Sequence, residues 1–224
     1  MLRKYSYPVN AVSSGTQITG ALFAIIGTLA LHIKAFSTSH PHAVHVALSM
    51  YGVSLIIMFT VSAFYHLKGG EIWHRLDHSS IYFLIGGTYT PIFLLIVGGT
   101  RGTTLCLVFW IVCLAGIIEK LIWFHRHETI SILTYLALGW AAIEISVLDY
   151  AWAGMGPHVL LASMNMEQLA FLLAGGASYT LGAYIYARHE WVWVPGLIHT
   201  HEIWHFFVLA GATLHFWMVW ACLS

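Results

Sequence analysis

The chain has 224 residues, of which 59% are hydrophobic and 8% are charged, and its mean hydropathy is +0.78. An ordinary soluble domain carries about 25% charged residues, so this composition excludes a soluble globular protein and a disordered chain. Nine Lys and Arg residues balance nine Asp and Glu residues, which excludes a basic face for nucleic acid. The three cysteines lie in apolar runs and do not form a disulfide framework.

Seven stretches are long and apolar enough to cross a bilayer as helices. A hydrocarbon core about 30 Å thick needs roughly 20 apolar residues per helix. The predicted spans, in chain order, are 16–33, 45–66, 80–97, 103–122, 130–147, 167–187 and 202–221. Because these spans occupy most of the chain, we predict one all-α domain over residues 1–224, an integral membrane bundle of seven transmembrane helices.

The distribution of Lys and Arg predicts the orientation of this bundle. Alternate connections contain seven basic residues on one side: Arg3, Lys4, Lys68, Arg75, Lys120, Arg126 and Arg188. The other side contains Lys34 and Arg101. Since cytoplasmic segments are enriched in basic residues, we predict a cytoplasmic N-terminus and, with seven spans, a C-terminus outside.

The first polar residues that indicate a functional site lie at the end of span two and just before span three. Ser62 and His66 are one helical turn apart at the predicted cytoplasmic end of span two, so their side chains face the same direction. Asp77 follows just before span three, and His78 comes next as a candidate to support a bound group. Three structural alternatives remain: His66 as an interfacial residue, Ser62 bonding to its own helix carbonyl, and Asp77 capping the helix.

The beginning of span seven contains the string HEIWH at residues 201–205. Residues four apart share a helix face, so both imidazoles can bind one ion. The string also matches the HExxH motif of zinc proteases, in which Glu202 would be the general base. Two interfacial histidines are the structural alternative. A tetrahedral zinc site with one open position needs a third protein ligand, and His66 lies at the same predicted membrane level.

The remaining polar residues of interest are predicted to lie away from this site. Glu144, inside span five, is an intramembrane acid, which by default indicates function, and the sequence assigns it no partner. His215 lies about 15 Å along the helix from His205, and we expect it to hydrogen-bond to a neighbouring helix. A solvated loop on the outer side is predicted for three histidines: His40, His42 and His45.

Four motifs together resemble the hemolysin III (TrhA) family, within the progestin and adipoQ receptor group of seven-span membrane proteins. They are Ser-x3-His at 62–66, Asp-His-Ser-Ser-Ile-Tyr at 77–82, Gly-Thr-Tyr-Thr-Pro at 87–91 and His-Glu-Ile-Trp-His at 201–205. The resemblance implies a Zn²⁺ ion held by three histidines near the cytoplasmic face, which would be His66, His201 and His205. It also implies that Asp77 and Ser62 lie beside the ion.

The same resemblance indicates a function. Adiponectin receptors and alkaline ceramidases share this arrangement and are associated with hydrolysis of ceramide-type amides. Zinc makes water a nucleophile near neutral pH; Asp77 is predicted to move its proton to the leaving amine, and Ser62 to donate a hydrogen bond to the developing oxyanion. We therefore predict a zinc-dependent lipid amide hydrolase of a bacterial inner (plasma) membrane, active in membrane homeostasis, with ceramide or a free fatty acid as its lipid partner.

Three alternatives to this hydrolase remain open at the level of sequence. The zinc can be structural in a membrane-fluidity sensor or receptor-like regulator. The protein can be a cytolysin, as the family's name implies. It can also be an intramembrane zinc protease that uses Glu202.

Overall fold

The computed structural model describes residues 11–123, 128–153, 160–188, 192–195 and 198–224, and most of them are helical. The helices are α1 (Ala11–Ser37), α2 (His42–Lys68), α3 (Glu71–Pro91), α4 (Gly99–Ile122), α5 (Glu128–Gly139), α6 (Ala141–Ala153), α7 (Met166–Arg188) and α8 (Thr200–Ala221). A π-helical segment, Ile92–Val97, continues α3, and a 3₁₀ turn, Leu160–Ser163, precedes α7. Two short antiparallel strands, β1 (Val192–Val194) and β2 (Ile198–His199), lie before α8.

The helices confirm the predicted all-α integral membrane fold. Six of them are long and apolar enough to cross a bilayer, and α5 with α6 forms a pair bent by 60° that can make a seventh span. Phe23 and Ile26 on α1 are each 62% exposed, and Leu107 and Ile111 on α4 are similarly exposed. Apolar faces of this size suit contact with lipid rather than water. The chain is thus a multi-pass membrane protein.

The orientation of the bundle stays a prediction. Arg3, Lys4 and Arg126, which contribute to the charge bias, lie outside the described residues. The start of α1, the end of α2, and the starts of α3 and α8 meet at one end of the bundle, through contacts between Ser13 and Glu202 and between His66 and His201. We call this the His-cluster end, and it is the end that the charge bias predicts to be cytoplasmic.

Close packing of α2 against α3 places their polar residues side by side. A Cβ atom added at Gly87 would lie 2.4 Å from the Cβ atom of Ser54, so only glycine allows this approach. In α1, Gly20 similarly accommodates the ring of Phe59 from α2. Small residues at such contacts are how membrane helices approach closely without a hydrophobic driving force. The approach aligns the end of α2 with the first turns of α3, where the site lies.

The fifth predicted span, 130–147, is not one continuous helix, because the helix breaks at Trp140 between α5 and α6. A broken helix inside a membrane leaves backbone groups that must be satisfied by protein. The buried hydroxyl of Tyr89 in α3 donates to the carbonyl of Gly139, at 2.8 Å, and accepts from the N–H of Ala142, at 3.0 Å. Tyr89, from the motif at 87–91, therefore stabilises the break.

Candidate metal centre

Three histidines from two helices converge at the His-cluster end. His66 lies in the last turn of α2, and His201 and His205 lie one turn apart in α8. One ligand atom from each ring lies within 4.8 Å of the others, and the ring centroids are 4.6–5.0 Å apart. His66 is 9% exposed and His205 is 4% exposed. Among the residues that the structure describes, these three histidines form the one group of at least three potential ligands that could hold a metal ion.

The spacing of the ring nitrogens fits a metal ion. Two nitrogens that bind one Zn²⁺ at 2.0–2.1 Å with tetrahedral geometry lie about 3.3–3.4 Å apart. The Nε2 atoms of His66 and His201 are 3.4 Å apart. Three imidazoles also suit other divalent ions, so the geometry indicates a metal and not its identity.

Asp77 and Ser62 lie next to the histidines, with their side chains close enough to interact. The predicted alternative, Asp77 as a helix cap, is wrong, because α3 begins at Glu71 with Gly70 as its N-cap. Asp77 lies in the second turn of α3 and its side chain is 16% exposed. Ser62 is 4% exposed, and its hydroxyl lies beside the Asp77 carboxylate across the α2–α3 contact.

His78 lies beside this pair without joining the three-histidine cluster. Its Nδ1 is 3.8 Å from a carboxylate oxygen of Asp77 and 3.1 Å from the carbonyl of His74 in its own helix. The hydroxyl of Tyr135, from α5, donates to the His78 carbonyl at 3.0 Å. His78 is therefore close to the carboxylate of Asp77 but is not one of the three potential metal ligands.

A cavity extends from the histidines into the bundle. Its volume is about 170 Å³, much larger than one water requires. His201 and His205 line one part of it, and His215, about 15 Å further along α8, lines another. Apolar and aromatic side chains form most of the wall, and among them are Met58, Ile81, Leu84, Ile85, Ile132, Leu136, Trp140, Tyr179 and Val208. A mostly apolar cavity with a few polar groups suits an apolar ligand that has a polar head.

Comparison with known proteins identifies the family. The family model described as "Haemolysin-III related" matches residues 9–216. The chain belongs to the haemolysin III family. Among its relatives, Hemolysin-3 of Bacillus cereus is 34% identical over 214 residues, which cover 94% of this chain and 88% of the relative. The Hemolysin-3 homolog of Bacillus subtilis (strain 168) is 32% identical, with 94% and 91% covered.

A human protein is also related. The monocyte to macrophage differentiation factor of Homo sapiens is 25% identical to this haemolysin III family member over 182 residues. These residues cover 76% of this chain and 68% of the human protein. The resemblance inferred from the four sequence motifs is therefore confirmed at the level of the family.

Other residues singled out in this haemolysin III chain lie apart from the cluster. His215 contacts the carbonyl of Leu172 in α7 through Nε2 at 3.3 Å, as predicted. The predicted outer loop is wrong for His42 and His45, which both belong to α2. Nδ1 of His45 is 3.0 Å from Nδ1 of His32 in α1. Glu144 is on an exposed face of α6 and does not line the cavity.

The first helix contributes polar groups that the sequence analysis missed. The Ser13 hydroxyl donates to Oε1 of Glu202 at 2.7 Å, and Gln17 lines the cavity. Both side chains are almost fully buried. Their spacing of four residues in the first turns of α1 was the available indication, since it places Ser13 and Gln17 on one helix face.

Glu202 has a structural environment that does not suit a protease base. Its side chain is 1% exposed. Oε1 accepts from Ser13, and Oε2 accepts from the backbone N–H of His199 at 2.8 Å, at the beginning of α8. A carboxylate engaged in this way stabilises the start of the ligand-bearing helix and connects it to α1. The geometry therefore disfavours the intramembrane protease.

We predict that Glu202→Gln retains bound metal and changes the rate of lipid hydrolysis by no more than a few-fold. The Gln amide can accept from the N–H of His199 and donate to the Ser13 hydroxyl, so both contacts survive. Glu202→Ala loses both, and we expect it to lower the free energy of unfolding by about 1–2 kcal/mol. Metal analysis and thermal unfolding in detergent measure these effects. A loss of activity of 100-fold or more in Glu202→Gln, with metal retained, would instead identify Glu202 as a base.

Proposed function

We propose that this haemolysin III family protein is a zinc-dependent hydrolase of a ceramide-type lipid amide and acts in membrane homeostasis. The observation that carries the proposal is the position of His66, His201 and His205 beside the Asp77–Ser62 pair, where the long apolar cavity begins. A metal held by three imidazoles supplies an electrophile for the amide carbonyl and activates water near neutral pH. The lipid partner is a membrane ceramide, or the free fatty acid released from it.

The number of histidine ligands supports catalysis over a purely structural metal. Structural zinc sites are generally closed by four protein ligands, whereas catalytic sites have three and keep one position open. Among the described residues, the candidate metal site offers three protein ligands, all of them histidines. Zinc as the resident ion agrees with this ligand set, since imidazole is one of the ligands that zinc prefers.

Asp77 is the residue proposed to move protons. Asp77 lines the cavity together with His201, and Ser62 lies beside its carboxylate. We propose that one carboxylate oxygen takes a proton from the attacking water and delivers it to the nitrogen of the leaving amine. The apolar surroundings exclude competing solvent and make the charge of Asp77 more effective.

The role proposed for Ser62 differs from the one expected from the sequence. A serine hydroxyl has one proton to donate, and the side chain of Ser62 interacts with that of Asp77. We therefore propose that Ser62 positions the Asp77 carboxylate and does not donate to an oxyanion.

Fatty acid release from ceramide by the purified protein tests the proposal. Zinc-loaded protein is incubated with detergent-dispersed ceramide, and free fatty acid is measured by mass spectrometry. We expect release that depends on zinc, stops when a chelator removes the metal, and returns when zinc is restored. No release at saturating zinc, from protein whose metal content is one ion per chain, would contradict the hydrolase.

The alternative of a membrane-fluidity sensor predicts a different outcome of the same experiment. The cluster connects α2 to α8, so a bound ion would also stabilise the bundle whether or not it is catalytic. For a sensor, zinc would raise the unfolding temperature and no lipid would be cleaved. The cytolysin alternative rests only on the names of the Bacillus relatives.

A further inference from the structure

The buried face of α1 changes character along the helix. At the His-cluster end it consists of polar side chains: Ser13, Ser14 and Gln17. Further along, the buried residues are small or apolar: Gly20, Ala24, Leu31 and Ala35. A buried polar side chain is costly unless it finds a hydrogen-bonding partner. The polar side chains on the buried face of α1 are therefore expected to have hydrogen-bonding partners or a function.

Ser13 has such a partner in Glu202, but Gln17 has none for its carbonyl oxygen among the described residues. Gln17 is 2% exposed, and its Oε1 is buried. Gln168, the other glutamine of the chain, is also buried but uses both ends of its amide. Its Nε2 donates to the carbonyl of Ala221 and its Oε1 accepts from the N–H of Asn165. Buried polar atoms are nearly always paired, so the exception at Gln17 calls for an explanation.

The position of Gln17 supplies that explanation. Gln17 lines the same cavity as Ser62, Asp77 and His205, so it belongs to the polar part of the wall. Ser62 and Asp77 interact with each other, whereas the Gln17 oxygen has no hydrogen-bond partner in the described part of the chain. An amide oxygen accepts hydrogen bonds, which a lipid amide N–H can donate and an ester cannot.

We propose that Gln17 accepts a hydrogen bond from the amide N–H of the lipid bound in the cavity, and so makes the site selective for lipid amides over esters. The inference rests on the proposed function, because it requires a lipid head beside the three histidines. It adds a selectivity residue on α1, a helix that contributes none of the three histidines. The unpaired oxygen then lowers the stability of the lipid-free protein and is retained because it serves lipid binding.

Three synthetic lipids with one acyl chain provide the test. N-ethylpalmitamide has a single N–H, whereas N-ethyl-N-methylpalmitamide and ethyl palmitate have none. We expect the zinc-loaded protein to bind N-ethylpalmitamide about 3- to 10-fold more tightly than the other two, the effect of one neutral hydrogen bond. Gln17→Leu and Gln17→Met should bind all three alike, while Gln168→Leu, the matched control, should keep the preference.

Thermal unfolding of the lipid-free proteins gives a second readout that does not depend on activity. Gln17→Leu and Gln17→Met remove an unpaired polar atom, so we expect an unfolding temperature equal to or above that of the unmodified protein. Gln168→Leu leaves the N–H of Asn165 and the carbonyl of Ala221 without their partner and should unfold at a lower temperature. A drop for the Gln17 variants as large as that for Gln168→Leu would show that Gln17 is bonded within the fold and would overturn the inference.

The binding outcomes separate this inference from the proposed function. If the unmodified protein binds the lipids without preference, or the Gln17 variants keep its preference, Gln17 does not select the amide, but lipid binding and the hydrolase stand. If none of the three lipids binds at saturating zinc, the lipid site itself is wrong and both proposals fail.

Discussion

Replacing any one of His66, His201 and His205 by alanine is expected to leave the purified protein with almost no bound metal. Each variant reduces the ligand set from three imidazoles to two. Loss of a residue that merely supports a ligand typically costs 10- to 100-fold in metal affinity, so loss of a ligand should cost more than about 100-fold. Elemental analysis after dialysis against a buffered zinc concentration measures the bound ion directly.

The matched control for these variants is His215→Ala. His215 is buried in the same helix as two of the ligands and lines the same cavity, but it lies about 15 Å away from them. Its replacement should lower stability, because a buried side chain is lost, and leave the metal content unchanged. Equal loss of metal from His215→Ala and His205→Ala would mean that the effect comes from general destabilisation and not from coordination. Full metal content in all three ligand variants would refute the site.

Asp77→Asn is expected to bind metal normally and to lose most hydrolytic activity. The amide keeps the shape of the carboxylate and can accept from Ser62, but it cannot take a proton. General acid–base catalysis typically contributes 10²–10⁴-fold to the rate, so we expect a loss in this range. Fatty acid release and metal content are measured on the same preparation.

Asp149→Asn, at the only other aspartate of the chain, is the control for this variant. Asp149 lies in α6 and pairs with Arg101 of α4, outside the cavity wall. Its replacement removes a carboxylate without touching the site, so the rate should be unchanged. If Asp77→Asn retains both its metal and its full rate of hydrolysis, another group moves the proton. If it loses its metal, Asp77 belongs to the coordination and not to proton transfer.

Hydropathy predicted where the chain crosses the membrane but not where the helices begin. The third span was predicted to begin at residue 80, whereas α3 begins at Glu71. Its first two turns are polar: Arg75 bonds to Glu71 within the helix and to the carbonyl of Leu121 at the end of α4. A search for apolar runs does not detect polar helical turns that such contacts hold. From hydropathy alone, Asp77 therefore falls just before the helix, where it could be a cap.

The break in the fifth span also depended on contacts distant in sequence. Gly139 and Trp140 do not by themselves specify a bend of 60°. The bend requires a group that satisfies the freed backbone, and Tyr89 supplies it from fifty residues earlier in the chain. From the sequence alone, Tyr89 is one residue of the Gly-Thr-Tyr-Thr-Pro motif, which does not indicate this structural role.

The sequence by itself determined that the protein is helical and resides in a membrane, because both follow from local composition and run length. It also determined that His201 and His205 can act together, since a spacing of four residues is enough to align them on a helix. Only the tertiary structure decided that His66 joins them and that Ser62 lies beside Asp77. It also decided that Ser13 contacts Glu202 and that Gln17 lines the cavity. These contacts join residues far apart in the chain, some by more than 100 positions, and helix packing rather than local propensity brings such residues together.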